Sequence, residues 1–133
     1  MYEDNSNSIL NSVKAGLDGI PAEYTVFDDV IMMHINGVFQ RFYQMRIGPI
    51  DAPFKITGDT ETWDDFLNAE NSVSADMEMV KSDMILRVKL LFDPPSSSYA
   101  IDNVKELIKE YEWCMNVQVD AEDTFVEEVE EGV

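Results

Sequence analysis

The chain has 133 residues, 45% of them hydrophobic, which fits one domain with one core and is too apolar for a wholly disordered polymer. Its 27 acidic and 9 basic residues leave a formal charge of −18. That balance disfavours wrapping nucleic acid or lying on an anionic membrane, because both draw on clustered Lys and Arg. It suits solubility, a basic protein partner, or a surface that DNA must pass without sticking.

From the N-terminus, polar Met1–Asn5 reads as loose. A first helix is expected from about Asn7 to Leu17, where Ile9, Leu10, Val13 and Leu17 have helical spacing and Gly16, Gly19 and Pro21 close the element. A second helix starts near Asp28 or Asp29, whose carboxylates favour an N-terminus, and runs to about Arg46. Its apolar residues Ile31, Ile35, Val38, Phe42 and Met45 repeat at intervals of four and three. Met32, Phe39 and Tyr43 widen the stripe, so two neighbours are expected. Gly37 inside it suggests a close helix crossing.

The stretch from Ile47 to Thr62 holds two prolines and two glycines around a short extended piece, Phe54-Lys55-Ile56. It reads as a projecting loop or small hairpin, and loops of this length are often functional. Thr62 caps a short helix from Trp63 to Leu67, with Asp64 and Asp65 in its first turn.

A fourth helix is expected from about Val73 to Leu91. Met77, Val80, Met84, Val88 and Leu91 form one face, extended by Ile85 and Phe92. Asp93-Pro94-Pro95 stops it, since proline lacks the amide donor and pushes the preceding residue out of helix. Ser96, Ser97 and Ser98 then offer caps for a fifth helix to about Val117, with Ile101, Val104, Ile108, Tyr111 and Met115 in a three-four repeat.

Gln118 to Val133 carries seven acidic residues and no basic one, and reads as a mobile tail. Val117, Val119 and Ala121 alternate with polar residues as a weak strand would, while Phe125, Val126 and Val129 are apolar residues set among acids. A solvated tail and a tail that orders on a partner both fit. The expected fold is all-α: a small bundle of four to five helices with a long loop or hairpin and an extended acidic C-terminal tail. Residues 1–117 form the helical domain and 118–133 the acidic arm.

Reactive chemistry is missing from the pattern. His34 has no second His or nearby Cys to join it as a ligand or base. The one cysteine, Cys114, lies beside an apolar stripe and reads as a small buried hydrophobe. There is no G-x-S-x-G turn and no phosphate-cradling glycine motif. Asp59, Glu61, Asp64 and Asp65 lack the spacing of a calcium loop. The eight methionines read as core filling, and Trp63, Trp113 and Tyr111 as core or interface anchors. No basic start followed by an apolar run marks a signal peptide, and no stretch approaches the ~20 apolar residues of a membrane span. The expectation is a soluble chain made in the cytoplasm, without cofactor or metal, that is not an enzyme.

Several motifs carry a resemblance. Thr62-Trp63-Asp64-Asp65-Phe66-Leu67, then Leu90-Leu91-Phe92-Asp93-Pro94-Pro95-Ser96-Ser97-Ser98, then Glu112-Trp113-Cys114-Met115-Asn116-Val117 resemble the head-tail connector, or head-completion adaptor, family of tailed bacteriophages. Ser8-Ile9-Leu10-Asn11-Ser12-Val13-Lys14 and His34-Ile35-Asn36-Gly37-Val38-Phe39 resemble it too, so the likeness covers about residues 8 to 117. The acidic extension departs from the family pattern.

The resemblance implies a non-enzymatic helical virion subunit, made in the host cytoplasm and sited in the neck between portal and tail. About twelve copies would dock on the portal protein as a ring and continue the DNA channel. Its partners would be the portal, neighbouring copies and the next neck or tail-completion protein. DNA would pass without specific binding, and no membrane would be involved. On this reading Val117, Val119, Ala121, Phe125 and Val126 are candidates to bind the portal, with Val117, Val119 and Ala121 added to it as a strand. Met32, Phe39, Tyr43, Phe54 and Ile56 are candidates for the subunit–subunit interface. The alternative is an acidic DNA mimic that occupies the DNA groove of a host enzyme.

Overall fold

The computed structural model describes residues 8–17, 19–67, 72–73 and 76–131, with backbone alone for 72–73 and 120–131. Its elements follow the order α1 (Ile9–Gly16), α2 (Asp28–Gln44), β1 (Gly48–Pro49), α3 (Trp63–Leu67), β2 (Ser72–Val73), α4 (Met77–Phe92) and α5 (Ser98–Glu131). The all-α expectation holds: the two strands are two-residue stubs paired antiparallel, Gly48 with Val73 and Pro49 with Ser72. The loose segment expected at Met1–Asn5 lies outside the described residues.

Local capping sets the helix starts. The Ser8 hydroxyl accepts from Asn11 N–H at 3.3 Å, and its own proton goes to the Asp59 carbonyl at 2.8 Å. Thr62 and Asp65 cap α3 reciprocally: Asp65 N–H donates to Thr62 Oγ1 at 3.1 Å, and Thr62 N–H to Asp65 Oδ2 at 3.0 Å. Asp76 accepts from Met79 N–H at 3.0 Å as the cap of α4, which starts four residues after the predicted start at Val73 because Val73 is held in β2. Ser97 Oγ accepts from Ala100 N–H at 3.1 Å where α5 leaves the double proline.

The core lies where α2 packs on α4 and α1, with α5 closing over α4. The wide stripe of α2 therefore meets two helices, as its sequence predicts. From α1, Ile9, Leu10 and Val13 are buried, with Leu17 at its C-cap; α2 adds Ile31, Ile35, Val38, Phe39 and Phe42, and α4 adds Val80, Met84 and Val88. Phe39, Phe42, Phe54 and Phe66 form an aromatic knot, with Phe39 and Phe66 ring centroids 4.8 Å apart. Such pairs add about 1 kcal/mol each beyond the area they bury. Buried Trp63 satisfies its indole by donating to Ser12 Oγ at 2.8 Å.

Three local readings change. The close helix approach is at Gly16, where an added Cβ would come within 2.7 Å of Ile85; Gly37 has open space around it. Residues 50–61 do not project as a hairpin. Asn36 grips the backbone of Ile56 with both amide atoms, at 2.8 and 3.1 Å, and Ile9 N–H donates to the Glu61 carbonyl at 3.1 Å. The loop is thereby laid against α2 and α1, and the strand stub at Gly48–Pro49 pairs with β2.

The third change concerns α5, which continues to Glu131 rather than ending near Val117. Met115 and Val119 are both buried, and Gln118 Oε1 accepts the Asp76 N–H at 2.9 Å. The helical stripe Ile108, Tyr111, Met115, Val119 runs past Val117, and the Val117-Val119-Ala121 alternation is coincidental with it.

Candidate functional site

On the outer side of the bundle a charged bridge ties three helices. Arg87 of α4 donates through Nε to Asp83 Oδ2 at 2.7 Å and through Nη2 to Glu112 Oε2 of α5 at 2.7 Å. Arg41 of α2 donates through Nη2 to the other Glu112 oxygen. Asp83 is fully buried, and its Oδ1 has no hydrogen-bond partner among the described residues. Burial pushes its carboxyl up to about 6, with the Glu112 charge adding to the rise and Arg87 limiting it. Burial also acts to raise Glu112, but hydrogen bonds and charge from Arg87 and Arg41 outweigh it and leave that carboxyl below its usual range.

Beside this bridge α2, α4 and α5 leave an open cleft of about 540 Å³. Val38, Leu90, Leu91 and Ile108 line it with apolar surface, and Gly37, lacking a side chain, widens its edge. Arg41, Arg87, Lys105 and Lys109 supply its polar lining, and none of the described residues that line it is acidic.

Two further apolar surfaces lie elsewhere. At the turn into α2, Tyr24, Val26, Phe27, Val30 and Met33 are exposed, Val26 to 71%, and the Phe27 ring stands edge-on to Phe92 with centroids 5.5 Å apart. On the outer face of α5, Trp113 is 67% exposed, with Val117 one turn further on. Contiguous exposed apolar patches mark contact surfaces, and aromatic residues are enriched at interfaces.

The profile of a family described as phage connector protein matches residues 9–122. The chain belongs to that family. No curated protein and no solved structure matches it. Family membership makes the chain a structural protein of the bacteriophage virion that connects other virion proteins. Among the described residues of this connector no helix is long and apolar enough to cross a membrane.

The residues singled out from sequence fall into separate environments in the connector. Of the interface candidates, Phe39 and Ile56 are buried inside the subunit, Phe54 and Met32 pack half-buried against the core, and Tyr43 is exposed. Within the subunit Phe39 is buried in the aromatic knot, and the grip of Asn36 holds the loop at Ile56 against α2. Of the portal candidates, Val117 is exposed and Val119 sits in the core at 2% exposure. Ala121, Phe125 and Val126 lie on the helical backbone of α5, with their side chains outside the described residues. A strand made of Val117, Val119 and Ala121 is thus replaced by helix. His34 and Cys114 are half-buried.

The acidic run Asp59 to Asp65 is occupied locally. Glu61 Oε2 accepts from Thr57 N–H and Oγ1 at 2.8 and 3.0 Å, and Asp65 caps α3. Partial burial works to raise Glu61, but the hydrogen bonds from Thr57 prevail and lower it. Among the described residues no three acidic, imidazole or thiol groups converge to hold a metal ion.

Sequence reasoning missed the Asp83–Arg87–Glu112–Arg41 bridge and the cleft beside it. The spacing of Asp83 and Arg87, four apart on one helix, was a legible signal. The partnership with Glu112 had none.

Proposed function

We propose that this connector docks on the portal protein as a ring of about twelve copies, continues the DNA channel toward the tail, and presents a platform to the next neck component. The observation that carries the reading is the presence of two unlike exposed apolar surfaces on one family member. One is the Tyr24–Met33 corner; the other is the Trp113 and Val117 face of α5. A closed cyclic assembly uses head-to-tail contacts, so each subunit needs two different patches that fit each other.

The charge supports the conduit role. A chain of net charge −18 repels the phosphate backbone, so a channel lined by it lets DNA pass without holding it. Tyr43, exposed on α2, belongs with the surfaces available to a neighbour, whereas Phe39 and Ile56 serve the fold.

Negative-stain imaging of the purified chain, alone and mixed with the portal of its own phage, tests this. A ring stacked on the portal is the expected result. An unoccupied portal beside a chain that instead binds a basic nuclease would replace the reading with that of an acidic DNA mimic.

A further inference from the structure

The cleft between α2, α4 and α5 concentrates charge of the wrong sign for this protein. The chain has 9 basic and 27 acidic residues, yet four basic side chains and no acidic one line the described cleft. Arg41 and Arg87 are already engaged by Glu112, so the charge offered outward comes chiefly from Lys105 and Lys109. Among the described residues Lys109 makes a surface contact to Glu106 at 3.6 Å. Between the charges the walls are apolar. The chemistry that fits is a segment with apolar side chains on one face and carboxylates on the other.

The chain carries such a segment at its own C-terminal end. Phe125, Val126 and Val129 are spaced as one face of a helix, and Glu122, Asp123, Glu127, Glu128, Glu130 and Glu131 surround them. The backbone there is helical to Glu131. The segment cannot reach the cleft of its own subunit. Ile108, in the cleft, and Phe125 lie on the same continuous helix, seventeen residues and so about 25 Å apart along its axis.

We infer that the acidic end of α5 from one copy docks in the basic-rimmed apolar cleft of a neighbouring copy, with Phe125 and Val126 against Leu90, Leu91 and Ile108 and the flanking carboxylates on Lys105 and Lys109. This rests on the reading of the connector as a self-assembling ring subunit and names one of its contacts. It also directs the segment toward a neighbouring subunit rather than the portal, because the cleft supplies the complementary charge within the chain itself.

The test is fluorescence anisotropy of a labelled synthetic peptide of residues 120–133 titrated with the intact chain. Binding is expected, weakening as salt is raised. Lys105→Glu with Lys109→Glu should weaken it by about tenfold or more, as should Phe125→Ser with Val126→Ser in the peptide. A matched control, Lys55→Glu with Lys81→Glu, makes the same change in net charge on exposed and half-buried lysines outside the cleft and should bind as the parent does. Circular dichroism of each variant confirms that the helices persist.

No peptide binding, or equal weakening by the control pair, overturns the inference. So does binding of the peptide to the purified portal but not to the chain. Imaging with the portal separates this from the ring reading. A ring that forms on the portal while the peptide fails to bind the chain sinks the cleft contact alone; a bound peptide with a bare portal sinks the ring placement instead.

Discussion

Arg87 and Glu112 meet across two helices, Nη2 to Oε2 at 2.7 Å, while the same guanidinium holds the buried Asp83 through Nε. One arginine thus compensates two carboxylates, and among the described residues Asp83 has no other charge partner as close. Replacing Arg87 with Ala leaves a buried carboxylate uncompensated and frees Glu112 from α4. The expected loss of folding stability is about 3–5 kcal/mol, read from urea unfolding at neutral pH. A loss under 1 kcal/mol would show that the bridge contributes nothing to holding α5 on α4.

Asp83 also makes stability depend on pH. Its folded carboxyl stands at about 6 against an ordinary value of 3.8, so the folded state holds the proton more tightly. Its favourable contribution is complete below pH 3.8 and is lost as pH rises through about 6. Glu112, lowered, acts in the opposite sense: its contribution is present above its ordinary 4.5 and lost on acidification below it. The Asp83→Asn variant removes the first effect only. Relative to the parent it should be more stable at pH 7 than at pH 4.5, by about 2 kcal/mol. A parent–variant difference that stays flat across this range would contradict the assignment.

Lys14 is wholly buried, with its ammonium 2.8 Å from Asp28 Oδ1 and donating to the Ala22 carbonyl at 3.1 Å. Asp28 and Asp29 both stand in the first turn of α2, but only Asp28 meets this charge. Asp28→Ala should therefore cost several kcal/mol, about 3 or more, by stranding the ammonium. Asp29→Ala removes only an exposed carboxylate near a helix N-terminus and should cost far less. Thermal melts of the two variants side by side decide it, and equal shifts would refute the pairing.

Two glycines should respond oppositely to alanine. Gly48 has φ of 83°, and a Cβ there would overlap the Phe66 ring. Gly48→Ala is expected to destabilise by more than about 1 kcal/mol, since the left-handed backbone and the aromatic knot both resist it. Gly37, inside α2, faces open space. Gly37→Ala should raise stability by up to about 1 kcal/mol through helix propensity. Denaturation midpoints moving in the same direction would contradict this contrast.

The helices were legible from sequence because their signals are local. The three-four spacing of Ile31, Ile35, Val38 and Phe42 names a buried face, Thr62 and Asp65 spell a reciprocal cap, and Asp93-Pro94-Pro95 stops α4. The start of α4 was misplaced because Ser72–Val73 is recruited by Gly48–Pro49, a pairing no local pattern encodes. The helix end expected near Val117 differs for another reason. Valines at alternating positions satisfy a strand rule while Met115 and Val119, four apart, satisfy the helix rule, and burial of Val119 decides between them. The interface candidates Phe39 and Ile56 looked like surplus hydrophobes on a widened stripe and a loop, but the fold consumes both.

By itself, the sequence determined the all-helical class, the positions of the main stops and caps, the acidic character, and the resemblance to the connector family. Each of these depends on residue type and on neighbours within a turn or two of helix. The tertiary structure alone decided that Arg41 and Arg87 converge on Glu112 and that the Phe54–Ile56 loop lies against α2. It alone decided that basic side chains gather around an apolar cleft in an acidic chain. These contacts join segments far apart along the chain, and their partners are chosen by how the packed helices are placed, which no local spacing records.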